Sequence, residues 1–134
     1  MRNTAEGEYS SAFGRGNSAT GARANAFGYG NTAGGARSTA LGYAASAGGD
    51  NSIAVGMEAN ASGLDDIAIG TGAAVLADTG VALGAGASAT AEAANAVALA
   101  PGRLPTPPTR YPSEARTTCA GSPTGATPPA TPTR

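Results

Sequence analysis

Proline is missing from the first hundred residues; all nine prolines lie at or after Pro101. His, Lys and Trp are absent throughout, and Cys119 is the only cysteine. Without His, neither a Ser-His-Asp nor a Cys-His catalytic arrangement can be built within this chain. One Cys and no His leave no zinc-binding cluster and no internal disulfide. Without Lys there is no phosphate loop of the Walker type. Aromatics make up 4% of the chain and charged residues 13%, so a core of large side chains is not on offer. The formal net charge of −1 argues against nucleic-acid binding. No apolar run is long enough to span a bilayer. Met1 is followed by Arg2-Asn3-Thr4-Ala5-Glu6-Gly7, which lacks the apolar stretch of a signal peptide.

What the chain does have is small residues in rhythm. The 134 residues include 21 Gly, and their character changes at residue 100. Residues 1–100 hold four Arg against eight acids, whereas residues 101–134 hold four Arg, one Glu and all the proline. Two segments follow: a repeat region, 1–100, and a low-complexity tail, 101–134.

In the first segment an Ala, a bulky apolar residue and a Gly recur as Ala12-Phe13-Gly14, Ala26-Phe27-Gly28, Ala40-Leu41-Gly42, Ala54-Val55-Gly56, Ala68-Ile69-Gly70 and Ala82-Leu83-Gly84, always 14 residues apart. A second column keeps the same period: Ala5, Ala19, Ala33, Ala47, Ala61, Val75 and Ala89. The next copy, Ala98-Leu99-Ala100, comes after 16 residues, which places a two-residue insertion near Ala93-Ala94. The chain begins inside this register.

Fourteen residues suit two short strands and two tight turns. Ser52-Ile53-Ala54-Val55 alternates with period 2, the signature of a strand. Gly at the strand ends permits turns that a Cβ resists, and Gly every few residues, at roughly 1 kcal/mol each relative to Ala, rules out the rival helix. Stacked at about 4.8 Å, seven coils make a rod about 33 Å long. The Ala column is too small for a wide core, so the coil must be flat. Phe13, Phe27, Leu41, Val55, Ile69, Leu83 and Leu99, with Ile53, Ile67, Val81 and Val97 beside them, then form an exposed apolar stripe. Covering that stripe with copies of the same chain predicts a homo-oligomer.

The run Asn51-Ser52-Ile53-Ala54-Val55-Gly56, with Asp66-Ile67-Ala68-Ile69-Gly70 after it, resembles the head repeat of trimeric autotransporter adhesins, the YadA-like or Hep/Hag haemagglutinin repeat. The resemblance spans about residues 5–99. It implies an all-β fold, a left-handed parallel β-roll, with three chains per head. It also implies display on a Gram-negative outer membrane and attachment to host cells or matrix proteins. Asn51, Ser52, Ile53, Ala54, Val55, Gly56, Ile67, Ala68, Ile69 and Gly70 are expected to be structural repeat positions; no ligand-contact residue, cofactor or metal follows from them. Two departures stand out. Where many family copies carry Ser three places after the Gly, this chain has Asn17, Asn31, Ala45, Ala59, Ala73 and Ala87. Ser11, Asn25 and Thr39 replace the first aliphatic in early copies.

Other motifs carry less. Gly14/Gly16, Gly28/Gly30, Gly70/Gly72 and Gly84/Gly86 read as periodic turns, not phosphate loops. Asp65-Asp66 reads as a solvated turn rather than half a Ca²⁺ site, and Asn60-Ala61-Ser62 fits a glycosylation sequon. No aromatic or Arg cluster marks a binding hot spot. An ice-binding solenoid would need Thr in ranks, and Thr4, Thr20, Thr32, Thr39, Thr71, Thr79 and Thr90 share no single register. A left-handed β-helix acyltransferase would need a period of six and a His. The leading expectation is an adhesin head. As a fragment with open strand edges, it is expected to assemble weakly and in a concentration-dependent way.

The tail reads either as a disordered Pro/Thr-rich linker or as a neck translated out of frame, which would make the chain a non-functional gene fragment. With one base restored after the Leu99 codon, residues 97–124 can encode VALGAGSVADxPNTVSVGSANDVRRITN, which is similar to the neck that follows such heads. Sequencing the DNA from codon 90 to the stop tests this: the shifted frame is expected to give TVSVGS and then ITN. If no frame does, the tail is a genuine linker.

Overall fold

The computed structural model describes residues 1–90 and 94–99. The expectations for segment 101–134 and for Cys119 lie outside the described residues.

Fourteen strands alternate between two seven-stranded sheets. The narrow sheet is built from two-residue strands: β1 (Thr4–Ala5), β3 (Ser18–Ala19), β5 (Thr32–Ala33), β7 (Ser46–Ala47), β9 (Asn60–Ala61), β11 (Ala74–Val75) and β13 (Ser88–Ala89). The wide sheet holds β2 (Ser11–Arg15), β4 (Asn25–Tyr29), β6 (Thr39–Tyr43), β8 (Ile53–Val55), β10 (Ile67–Ile69), β12 (Val81–Leu83) and β14 (Val97–Ala98). Each strand pairs in parallel with the strand one coil away, so the chain is a β-solenoid with no helix among the described residues. Coil 1 starts at Asn3, and the next coils start at Asn17, Asn31, Ala45, Ala59, Ala73 and Ala87. Ala12 faces Ala26, Ala40 faces Ala54 and Ala68 faces Ala82, in steps of 14. At the last step Ala82 faces Ala98, so the two extra residues are absorbed before β14 without breaking the ladder.

The strand period decides which side chains meet. In β8, Ala54 points inward and is fully buried, while Ile53 and Val55 point outward and are half-buried. The same rule holds along the rod, so among the described residues every buried apolar residue is Ala except Val75. Val75 fits because of Gly80 in the same coil: a Cβ built on Gly80 would lie 2.6 Å from Val75 Cγ1. In coil 2 the same two places hold Ala19 and Ala24, both buried.

Glycine acts differently from the turn role expected of it at one recurring site. Gly7, Gly21, Gly35 and Gly49 are needed for clearance: a Cβ on any of them would sit 1.9–2.0 Å from the carbonyl oxygen of the equivalent Gly in the next coil. The left-handed conformation of that same turn falls on residues with side chains. Tyr9, Arg23, Arg37, Asn51, Asp65, Thr79 and Asn95 all have φ between 59 and 64°. Asn and Asp adopt this region readily, whereas a β-branched Thr is an outlier there.

The other turn is governed by asparagine. Asn17 and Asn31 are buried and Asn3 heads their column. The Asn17 amide donates to Phe13 O (2.9 Å) and Gly28 O (2.8 Å), and its Oδ1 accepts from Asn31 N (2.9 Å). Asn31 repeats the pattern with Phe27 O (2.8 Å), Gly42 O (2.8 Å) and Ala45 N (2.8 Å). Asn3 donates to Gly14 O at 2.8 Å. The three strands whose Gly carbonyl is held in this way, β2, β4 and β6, are five residues long. From coil 4 on, Ala stands in the Asn column, the strands shorten, and the turn closes on itself through bonds such as Ala73 N to Gly70 O (3.1 Å) and Ala87 N to Gly84 O (3.1 Å).

Two substitutions test these packing rules. Gly80→Ala is expected to cost about 1–3 kcal/mol by overpacking, and Val75→Ala about 1–2 kcal/mol by leaving a void. The double variant recreates the Ala19/Ala24 pair and is expected to lose less than the sum; additive losses in urea unfolding would show that the two residues do not share space. Asn31→Ala strands the Phe27 and Gly42 carbonyls and the Ala45 amide, for an expected loss of about 2–4 kcal/mol. An unchanged unfolding midpoint would mean that coil 3 can take up the tighter turn of the later coils.

Candidate functional site

A buried core made of methyl groups leaves the large apolar side chains on the outside. On the wide sheet they form two columns. One runs Phe13, Phe27, Leu41, Val55, Ile69, Leu83, Leu99; the other runs Ile53, Ile67, Val81, Val97 through the later coils. In the isolated chain Leu41 is 45%, Ile69 40% and Leu83 36% exposed. The register makes the columns straight: Ile53, Ile67, Val81 and Val97 are successive ladder partners, as are Leu41, Val55, Ile69 and Leu83. This is the stripe expected from the repeat.

The repeat positions divide by function within the coil. Ile53, Val55, Ile67 and Ile69 supply the stripe, while Ala54 and Ala68 fill the core. Gly56 and Gly70 turn the chain with φ of 130 and 132°. Ser52 is buried, and its hydroxyl donates to Gly49 O at 2.7 Å. Asn51 is exposed in the left-handed conformation, and its amide donates to Asp65 Oδ1 one coil on, at 2.9 Å.

The wide sheet also gathers four aromatic residues, Phe13, Phe27, Tyr29 and Tyr43, contrary to the expectation that no such cluster exists. Because β2, β4 and β6 run two residues further than the later strands, Arg15, Tyr29 and Tyr43 become ladder partners on the same face. Tyr29 and Tyr43 stack with ring centroids 5.3 Å apart and planes 4° from parallel, and the Arg15 guanidinium lies 5.8 Å from the Tyr29 ring. Phe13 and Phe27 lie beside them with centroids 6.4 Å apart. These residues are 14 apart in sequence, so counting local clusters misses them; reading down the repeat columns finds them.

Two further sequence readings change. Asp65 is exposed, but Asp66 is fully buried rather than solvated. Its carboxylate accepts from Gly63 N (2.6 Å) and Gly80 N (3.0 Å), tying two coils together. Among the described residues no group of three or more His, Cys, Asp or Glu could hold a metal. The sequon starts in a strand rather than in the loop such acceptors favour: Asn60 and Ala61 form β9 and Ser62 follows it, with Asn60 N bonded to Ala73 O (2.8 Å) and Ser62 Oγ to Val75 O (3.1 Å). The outer rank of the narrow sheet does align Thr4 and Thr32, but Ser18, Ser46, Asn60, Ala74 and Ser88 complete it.

Among the described residues no helix is long and apolar enough to cross a membrane. No curated protein matches the chain. A family profile describing two copies of the YadA head domain repeat matches residues 5–31, 33–59 and 61–87. The three matches start 28 residues apart, two coils each, and together cover 81 of the 134 residues. The seven-coil solenoid, its apolar outer stripe and a profile match over more than half of the chain place this protein in the YadA head family, the adhesin-type head of trimeric autotransporters.

Proposed function

We propose that the chain is the head of a cell-surface adhesin that works as a homotrimer, with the outer stripe of the wide sheet as the seam between chains. In the intact protein it is carried on a Gram-negative outer membrane, where it attaches to host cells or extracellular matrix. One observation carries this reading: the Phe, Ile, Val and Leu side chains of the wide sheet lie outside the rod in straight columns, while the apolar core of the described residues is alanine except for Val75. Each Ile, Leu or Val side chain moved from partial to full burial stabilises the assembly by about 1 kcal/mol, so a column of them is enough to hold parallel copies in register. Attachment would then work through many weak contacts multiplied by three chains and seven coils.

Val81→Asp with Leu83→Asp tests the seam, because both side chains point outward and the alanine core is untouched. The parent chain is expected to sediment as a trimer at high concentration, and the variant as a folded monomer at every concentration, with the β-sheet circular dichroism of the parent. A variant that still forms trimers would rule out this face. For the adhesin role, parent trimer is applied to surfaces coated with collagen, other matrix proteins or cultured cells. Retention that the monomeric variant lacks is expected, and a trimer that binds none of them would make the head a spacer.

A further inference from the structure

The turn leading from the narrow to the wide sheet carries the column Glu8, Ala22, Ala36, Asp50, Leu64 and Asp78, one residue per coil. The residue after each of them is left-handed: Tyr9, Arg23, Arg37, Asn51, Asp65 and Thr79. Where the column holds Asp in coils 4 and 6, the carboxylate reaches back one coil to the backbone amide of the same turn. Asp50 Oδ1 accepts from Ala36 N at 2.9 Å, and Asp78 Oδ1 accepts from Leu64 N at 3.4 Å. Turn amides beside a left-handed residue attract anions, and here the anion is a side-chain carboxylate. Between coils 2 and 3 the same place is built differently. The amide is that of Ala22, and the residue one coil on is Ala36, whose methyl group has no oxygen to offer. Among the described residues Ala22 N donates to no protein acceptor, and Ala22 is exposed. The neighbouring charge is reversed as well. Arg23 follows Ala22 and Arg37 follows Ala36; both are exposed, and residues 10–44 contain no acid.

We propose that this turn of coils 2 and 3 binds a carboxylate from outside the chain, an Asp or Glu side chain of a polypeptide partner. The Ala22 amide takes one carboxylate oxygen, as the Ala36 amide takes Asp50, and the guanidinium groups of Arg23 and Arg37 supply the opposite charge. A side-chain carboxylate is the anion of choice because the equivalent places one and three coils on are filled by aspartates presented from a turn. Tyr9 is 76% exposed with the Arg23 guanidinium 5.9 Å from its ring centroid, so the residue carrying the carboxylate also meets an aromatic surface. Two acids border the site. Asp50 is held by Ala36 N one coil on. Glu8 stands one coil before, and a backward reach like that of Asp50 directs its carboxylate toward the start of the rod, away from Ala22 N. Each such contact is weak, and one per chain in a trimer supplies the avidity. The inference rests on the adhesin reading for the partner's role and adds the chemistry by which that partner is recognised.

The test follows the Ala22 amide of the full chain by NMR while sodium acetate, and then a capped Asp-containing peptide, replaces sodium chloride at constant ionic strength. The Ala22 resonance is expected to shift and saturate with both. Arg37→Gln is expected to weaken binding about tenfold. Ala36→Asp places a carboxylate of the chain itself over Ala22 N, and is expected to abolish the response in a folded protein. Asp50→Ala does the reverse: it frees Ala36 N and is expected to add a second responding amide, which keeps the test decisive if Ala36→Asp does not fold. An Ala22 amide that ignores acetate and peptide would overturn the proposal, as would a folded Ala36→Asp chain that binds like the parent or an Asp50→Ala chain with no new response. A response to hyaluronan without one to the peptide would overturn it too, assigning the turn to an acidic polysaccharide. The acetate response needs neither trimer nor host surface, so failure of the seam or of adhesion is read separately from failure of this site.

Discussion

The gap between the two sheets admits a methyl group from each side and little else, and most of the molecule follows from that gap. Side chains this short hold the sheets closer than the roughly 10 Å of an ordinary sandwich. Within a coil the chain must therefore reverse twice in very little space, which is why glycine recurs where coil packs on coil. Where one larger residue enters, at Val75, its opposite number has been cut back to Gly80. The interior tolerates volume exchange within one coil but no net gain.

So thin a core contributes little burial per residue, and the axial bonds matter in proportion. Side-chain bonds run predominantly from one coil to the next: Asn17 to Asn31, Asn51 to Asp65, Asp50 to the Ala36 amide, Asp66 to the Gly80 amide, each 14 residues apart. Every coil is thus tied only to its neighbours, and the cohesion of the rod is a sum of similar nearest-neighbour terms. The polar corners alternate their chemistry along this axis. Asn serves the first three coils and hydrogen-bonded tight turns serve the rest, with a buried carboxylate replacing Ser at coil 5. What stays constant is that each corner carbonyl or amide in these pairs finds a partner.

The sequence carried the fold almost whole. A strict period of 14, Gly at fixed places and period-2 alternation at Ser52-Ile53-Ala54-Val55 are enough to predict a flat parallel solenoid with alanine inside and aliphatics outside. The two-residue insertion before Val97 was legible because the column resumes after it. Three things were not. Periodicity shows that Asn17 and Asn31 share a column but not that the column faces inward, so the buried ladder and the longer strands it sustains were hidden. Asp66 looked like its exposed neighbour Asp65 because one step along a turn changes burial completely. The Arg15–Tyr29–Tyr43 stack depends on those longer strands, which bring onto the sheet face residues that would otherwise lie in a turn. In each case the missing quantity was the direction of a side chain at a turn, where the period-2 rule no longer applies.

The outer stripe is not uniform, and its change of character coincides with the change of turn. In coils 4–7 both columns are aliphatic: Ile53 with Val55, Ile67 with Ile69, Val81 with Leu83, Val97 with Leu99. In coils 1–3 the first column becomes Ser11, Asn25 and Thr39, and the longer strands add Arg15, Tyr29 and Tyr43 at the rim. A dry seam needs shape-matched apolar surface, which the later coils provide. The early coils instead pair aromatic area with a guanidinium and hydroxyls, the composition found at contact hot spots. Along one face the rod thus presents two surfaces, an aliphatic one over coils 4–7 and an aromatic one over coils 1–3. The Asn ladder sets where one gives way to the other. By holding the Gly14, Gly28 and Gly42 carbonyls it keeps β2, β4 and β6 extended, and so determines how far along the rod the aromatic surface reaches.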